Sequence, residues 1–232
     1  MDANGITNQD HILIYAKEGS LFTPRTWFLF KTMGHDPSKI HLLQGSLEQW
    51  IEAGGNVDGS ILTQDSIPCA KDLNLDPSRQ YQYKARDAKN VYKMPQVLNA
   101  VESKNENFLF LDPRGSSFES NGHIPNAIHL PYSQLTNPEN ALQMKSIPEL
   151  QQLFQDVDID INTSKTIICT CGSGVSVCHL MLALEECGRP IVYGKNDGDI
   201  DNLNVGQTVM YDGSWEEWGS DESTPKVMPQ IK

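Results

Sequence analysis

Residues 166–189 read TIICTCGSGVSVCHLMLALEECGR. Five strand-forming residues, Thr166 to Thr170, give way to a cysteine and a glycine- and serine-rich turn. An apolar-faced helix over about Val175 to Glu186 follows, and Gly188 ends it. An earlier stretch, residues 11–50, has the same grammar: HILIYAKEGSLFTPRTWFLFKTMGHDPSKIHLLQGSLEQW holds an apolar strand, a small-residue loop, a helix ending at Gly34 and a second strand. It closes on Gly-Ser-Leu-x-x-Trp, which returns as Gly-Ser-Trp-x-x-Trp in TVMYDGSWEEW at 208–218. Self-similarity of this kind marks a duplicated α/β unit.

Around the later repeat, periodicity and punctuation predict a helix over Met94–Glu102 and a buried strand over Phe108–Asp112. A short extended piece over His129–Pro131, a helix from about Pro148 to Phe154 and a strand over Val209–Asp212 follow. Short β-rich runs alternating with helices make an α/β fold, a mostly parallel sheet covered by helices on both faces. The first unit contains only the strand-helix-strand-helix end of this pattern. The expected organisation is therefore a tandem repeat with its first domain incomplete: 1–56 a partial domain, 57–90 a connector, 91–220 the complete catalytic domain and 221–232 a tail. Either the native chain begins upstream of Met1, or the partial unit packs on the complete one and leaves an edge or apolar face to be covered.

The 232 residues are 38% hydrophobic and 21% charged, the composition of a soluble globular protein, and no apolar run reaches the ~20 residues of a membrane span. MDANGITNQD has the pattern of neither a secretory signal nor a transit peptide. A cytoplasmic address is expected, with the mitochondrion as a second compartment. Eighteen basic against thirty acidic residues, a net charge of -12, argue against direct nucleic-acid binding. Five cysteines, three of them in one loop-helix segment, suggest reduced thiols rather than disulfide staples.

In a parallel sheet, ligands gather beyond the carboxyl ends of the strands, and Cys171 stands one residue past such an end. Gly172 and Gly174 let the backbone curl so that several N–H groups face inward, and the following helix adds its N-terminal donors. Such a cradle favours the thiolate, which is the nucleophile. Ser173 and Ser176 could add hydroxyl donors. The first repeat has a residue close to Ala16 at the position of Cys171, so packing does not demand a thiol there. A zinc set of Cys169, Cys171, Cys178 and His179 lacks paired Cys knuckles, and no metal or other cofactor is expected. A phosphatase-type loop needs an arginine where Val177 stands. Asp197, Asp199 and Asp201 mimic an EF-hand start, but Asn202 and Thr208 fill its glycine and glutamate positions, leaving a solvated acidic insertion. His123 is expected to fix a turn rather than act as a base. Cys178 belongs to core or helix surface, or becomes a resolving thiol if it faces the loop.

The motifs CGSGVS at 171–176, GHIPNAIHLP at 122–131, YDGSWEEW at 211–218 and FTPRTW at 22–27 resemble the rhodanese superfamily. The likeness is to its tandem-domain 3-mercaptopyruvate sulfurtransferase branch, fungal relatives that feed tRNA thiolation included. That resemblance implies that Cys171 accepts sulfane sulfur as a persulfide from a small donor, 3-mercaptopyruvate or a thiosulfate-like compound, and passes it to a thiol, cyanide or a protein. It implies catalytic roles for Cys171 and Ser173, and substrate or persulfide contacts from Gly172, Gly174, Val175, Ser176, Val177 and Arg114, the last equally open to a structural ion pair. The partners implied are these donors and acceptors, without nucleic acid or membrane. The branch also carries two arginines that hold the substrate carboxylate; here Ser117 replaces the first, and the segment with the second is missing. A weakly catalytic persulfide relay or protein-binding module is the alternative.

Overall fold

Strand-forming and helix-forming segments alternate through the whole of the computed structural model, which describes residues 6–60, 81–82, 88–103, 106–193 and 206–229. The first unit comprises β1 (Ile12–Ile14), α1 (Thr23–Thr32), β2 (Ile40–Leu42) and α2 (Leu47–Glu52). The strands β1 and β2 form a parallel pair, Ile12 opposite Ile40. Pro24 suits the first turn of α1, where a missing N–H costs nothing. Ser46 caps α2 reciprocally with Gln49.

The second unit runs β3 (Val91–Tyr92), α3 (Met94–Glu102), β4 (Phe108–Asp112), α4 (Ser117–Ser120), β5 (Ala127–His129) and α5 (Tyr132–Leu135). It continues through β6 (Thr136–Asn137), β7 (Asn140–Met144), α6 (Ile147–Asp156), β8 (Thr166–Cys169), α7 (Val177–Glu186), β9 (Thr208–Tyr211) and α8 (Ser214–Ser220). Five strands make one parallel sheet in the order β3-β9-β8-β4-β5, while β6 and β7 form a separate antiparallel hairpin. The central strand β8, buried at every residue, brings Cys171 to the carboxyl edge of the sheet.

Two buried clusters lie on the sheet's two faces. One joins Tyr92, Val97, Phe110, Ile168, Tyr211 and Trp218. The other gathers α7 with Leu111, Leu150 and Phe154 and extends without a break to Ile14, Trp27, Phe28 and Ile40 of the first unit. Every residue of α7 from Val177 to Leu184 is buried, because the sheet, α1 and α5 all pack against the helix. Lys31 on α1 ties this junction by an ion pair with Glu185 at 2.7 Å, its ammonium 4.5 Å from the Trp27 ring centroid.

The strand at β4 and the helix at α3 have the bounds that periodicity predicts. Others differ for local reasons. The extended piece expected at 129–131 is β5, two residues earlier, where Ala127 faces Phe110. Helix α7 starts at Val177 rather than Val175, since Gly174 adopts φ +81° and the loop runs on to Ser176. The β6-β7 hairpin and α4 are polar and short, with no periodic apolar signal. Most of the expected connector, the acidic insertion at 197–201 and Cys69 lie outside the described residues. Of the expected tail, residues 221–229 are packed on the second unit: Val227 and His123 exchange backbone hydrogen bonds at 3.0 Å, and Trp218 Nε1 donates to the Pro225 carbonyl at 2.8 Å. On the first unit Leu13, Tyr15 and Phe22 are all more than half exposed. Among the described residues, no helix is long and apolar enough to cross a membrane.

Candidate active site

Cys171 is 1% exposed, and its Sγ accepts the Gly174 N–H at 3.2 Å. Ser214, at φ +54°, turns its hydroxyl to the same place: Oγ lies 3.8 Å from Sγ, accepts the Cys171 N–H at 3.1 Å and donates to the Tyr211 carbonyl at 2.9 Å.

Three carbonyls of the loop are held from outside it. Trp215 N–H donates to the Cys171 carbonyl and Glu216 N–H to the Gly172 carbonyl, each at 2.9 Å. Arg25 Nη1, from α1 of the first unit, donates to the Gly174 carbonyl at 3.1 Å. The described peptide bonds are trans, and in a planar trans peptide the C=O and the following N–H point in opposite directions. Holding these carbonyls outward therefore turns the N–H groups of Gly172, Ser173 and Val175 the other way, to the inner side of the loop. A concave row of N–H groups is a nest for an anion, and α7 presents the positive end of its dipole behind it.

The predicted site residues separate into those on the rim and those beneath. Ser173 is exposed, Val175 and Ser176 are half-buried, and Gly172 and Gly174 shape the curl. The Val177 side chain lies in the core. Arg114, expected to contact substrate, has its guanidinium committed to the protein instead. It pairs with Asp112 through Nε and Nη2, at 2.9 and 2.8 Å, and donates to the carbonyls of Ser117 and Gly122 at 3.2 and 2.9 Å. Its side chain is 5% exposed, against 1% for that of Asp112. It lies next to the loop, its Cδ 3.8 Å from where a Cβ on Gly172 would stand. His123 Nδ1–H donates to the Ile124 carbonyl at 2.9 Å, and the ring stacks on Phe118, as a turn-fixing residue does.

Among the other thiols, Cys178 faces the underside of the loop, its Sγ 3.7 Å from the Gly174 carbonyl. Burial pushes this thiol up to about 12, with Arg25 working in the opposite sense, so it is protonated at neutral pH. Burial likewise raises Cys169, within β8, and Cys187, at the end of α7. His179 packs on Tyr132 with ring centroids 5.3 Å apart, and burial lowers its pKa to about 4.

Sequence reasoning missed Ser214, Arg25 and Asp212. Asp212 accepts Arg25 Nη1 at 2.8 Å and flanks Gly174. The repeat held a signal for the serine: Leu47 N–H donates to the Ala16 carbonyl at 2.9 Å as Trp215 N–H does to Cys171, so Ala16 and Cys171 are equivalent. Their serines differ, since Ser46 caps a helix whereas Ser214 faces the thiol.

The family model described as Rhodanese-like domain matches residues 94–221, more than half of the chain. This chain belongs to the rhodanese-like family. It is 29% identical over 227 residues to the thiosulfate sulfurtransferase of Gallus gallus, and 30% identical over 220 residues to the 3-mercaptopyruvate sulfurtransferase of Rattus norvegicus. Both matches cover 92% of this chain, and 65% and 64% of the respective relative, so the chain spans a little under two thirds of the length of these curated relatives. The solved structure of Tum1 from Saccharomyces cerevisiae shares the fold, with a TM-score of 0.70 at 24% identity over 100% of this chain and 73% of that one.

Proposed function

We propose that this rhodanese-like chain is a sulfurtransferase in which Cys171 is the nucleophile and carries the sulfur. The observation behind the proposal is the seat of Cys171: a thiol at the carboxyl end of the central strand, accepting one N–H from its own loop, with three more peptides oriented by outside donors. As a thiolate, Cys171 attacks the sulfane sulfur of the donor. The new S–S bond forms as the donor's bond to that sulfur breaks, and the electron pair leaves with the donor remainder, sulfite in the case of thiosulfate. The persulfide anion sits in the nest until an acceptor thiolate, cyanide or a protein thiol takes its outer sulfur and Cys171 returns as thiolate. Gly172, Ser173, Gly174 and Val175 supply the backbone donors, Ser173 adds a hydroxyl at the rim, and Ser176 lies at its far end. No cofactor takes part in these steps.

The relatives bear two donor names at nearly equal identity, so the donor is assigned from the site. Arg114 and Arg25 are both paired with a carboxylate, and Ser117 stands where a carboxylate-binding arginine belongs in the 3-mercaptopyruvate branch. That favours thiosulfate or a persulfide over 3-mercaptopyruvate, and it also supports the second reading, a persulfide relay between proteins. Incubation with thiosulfate should add about 32 Da, one sulfur atom, to the Cys171 peptide, and the gain should vanish in Cys171→Ser. No such gain with thiosulfate, 3-mercaptopyruvate or a persulfidated protein would refute the proposal.

A further inference from the structure

We infer that Arg25, in the first unit, is a positioning residue of the cysteine loop, so that the nest is completed only across the junction of the two units. The inference rests on Cys171 being the reactive thiol of the proposed function. Arg25 does for the Gly174 carbonyl what the start of α8 does for the carbonyls of Cys171 and Gly172: it draws the oxygen outward and so turns the next N–H, that of Val175, inward. Gly174 is where such a clamp counts. At φ +81° its peptides are not held by regular secondary structure, and it also supplies the N–H on Cys171 Sγ. Arg25 reaches it because Asp212, at the end of β9, fixes the guanidinium at 2.8 Å, with Met210 Sδ at 3.6 Å on its flank. The Arg25 side chain is 22% exposed, so the clamp is partly shielded from water.

Six groups that titrate or carry charge surround the loop: Cys178 and His179 on α7, Asp212 after β9, Arg25 on α1, and the paired Arg114 and Asp112 below Gly172. Their arrangement gives opposite signs to two accounts of Asp212. As a simple negative charge beside the loop it disfavours a thiolate, and its removal would speed alkylation of Cys171. As the anchor of Arg25 it keeps the Gly174 carbonyl turned outward, and its removal slows alkylation.

The test is the pH dependence of Cys171 alkylation by iodoacetamide in the full chain, followed by mass spectrometry of the Cys171 peptide. It needs no sulfur donor, so it can fail while persulfide formation succeeds, and the reverse. Arg25→Met is expected to slow alkylation about tenfold at pH 7, and Arg25→Lys to recover part of the loss. Asp212→Asn is expected to slow alkylation as well. An unchanged profile in Arg25→Met, or faster alkylation in Asp212→Asn, would overturn the inference. Should Arg25→Met fail to fold, the sign of the change in Asp212→Asn decides alone.

Discussion

Replacing Gly174 by alanine should be the most damaging single methyl addition in the cysteine loop, and two other glycines let its cost be divided. A residue with a Cβ in the left-handed region costs roughly 1–2 kcal/mol, and Gly174 has φ +81°. Its Cβ would also stand 2.9 Å from Asp212 Oδ1 and 3.2 Å from the Asp212 carbonyl oxygen, so the carboxylate must move. Moving it strains the Arg25–Asp212 pair, whose side chains are 22% and 50% exposed; a pair that open is worth only ~0.2–1 kcal/mol. Gly174→Ala should therefore cost about 2–3 kcal/mol. Gly188, at φ +87° with nothing within 4 Å of a Cβ, isolates the conformational part, and Gly188→Ala should cost about 1–2 kcal/mol. Gly172 lies outside the left-handed region and its Cβ would meet only Arg114 Cδ, at 3.8 Å, so Gly172→Ala should stay within about 0.5 kcal/mol. Urea denaturation of the three variants reads these differences. A Gly174→Ala protein as stable as Gly172→Ala would refute the account of the loop.

Two further predictions concern the groups beneath the site. His179 has a folded pKa lowered by burial to about 4, against ~6.5 unfolded, so the unfolded chain binds the extra proton between these values. Stability due to a neutral His179 is full above about pH 6.5 and falls as the pH drops toward 4, by about 3 kcal/mol in total. His179→Leu should flatten that loss in urea melts at pH 7, 6 and 5; an equally steep loss would place the acid sensitivity elsewhere. Asp112→Asn leaves the buried Arg114 without its carboxylate and should cost about 3–5 kcal/mol in the same measurement. A cost under 1 kcal/mol would show that the carbonyls of Ser117 and Gly122 suffice to hold the guanidinium.

Much of the fold was legible because its signals are local. β4 and β8 are continuous apolar runs, and α3 follows a helical period, so their positions follow from pattern alone. The hairpin β6-β7 and the short α4 carry no such pattern and form because neighbouring elements hold them. At the site the division is similar. Cys171 announces itself as a thiol at a strand end beside two glycines. Ser214, 43 residues on, and Arg25, 149 residues before Gly174, meet the loop only through the sheet order and the packing of α1 on α7. Arg114 leaves two readings open in the sequence, anion ligand or structural ion-pair partner, and its guanidinium is held by Asp112 and two carbonyls.

The burial of α7 on every side has a consequence for how a duplicated chain can change over time. A helix exposed on one face can drift there freely, whereas α7, buried from Val177 to Leu184, must satisfy the sheet, α1 and α5 together. The first unit has alanine, not cysteine, at the position equivalent to the thiol, yet losing it would uncover apolar residues of the other unit's central helix, because its own helix forms part of the wall around them. A unit without a thiol of its own at that place is kept as part of its neighbour's architecture.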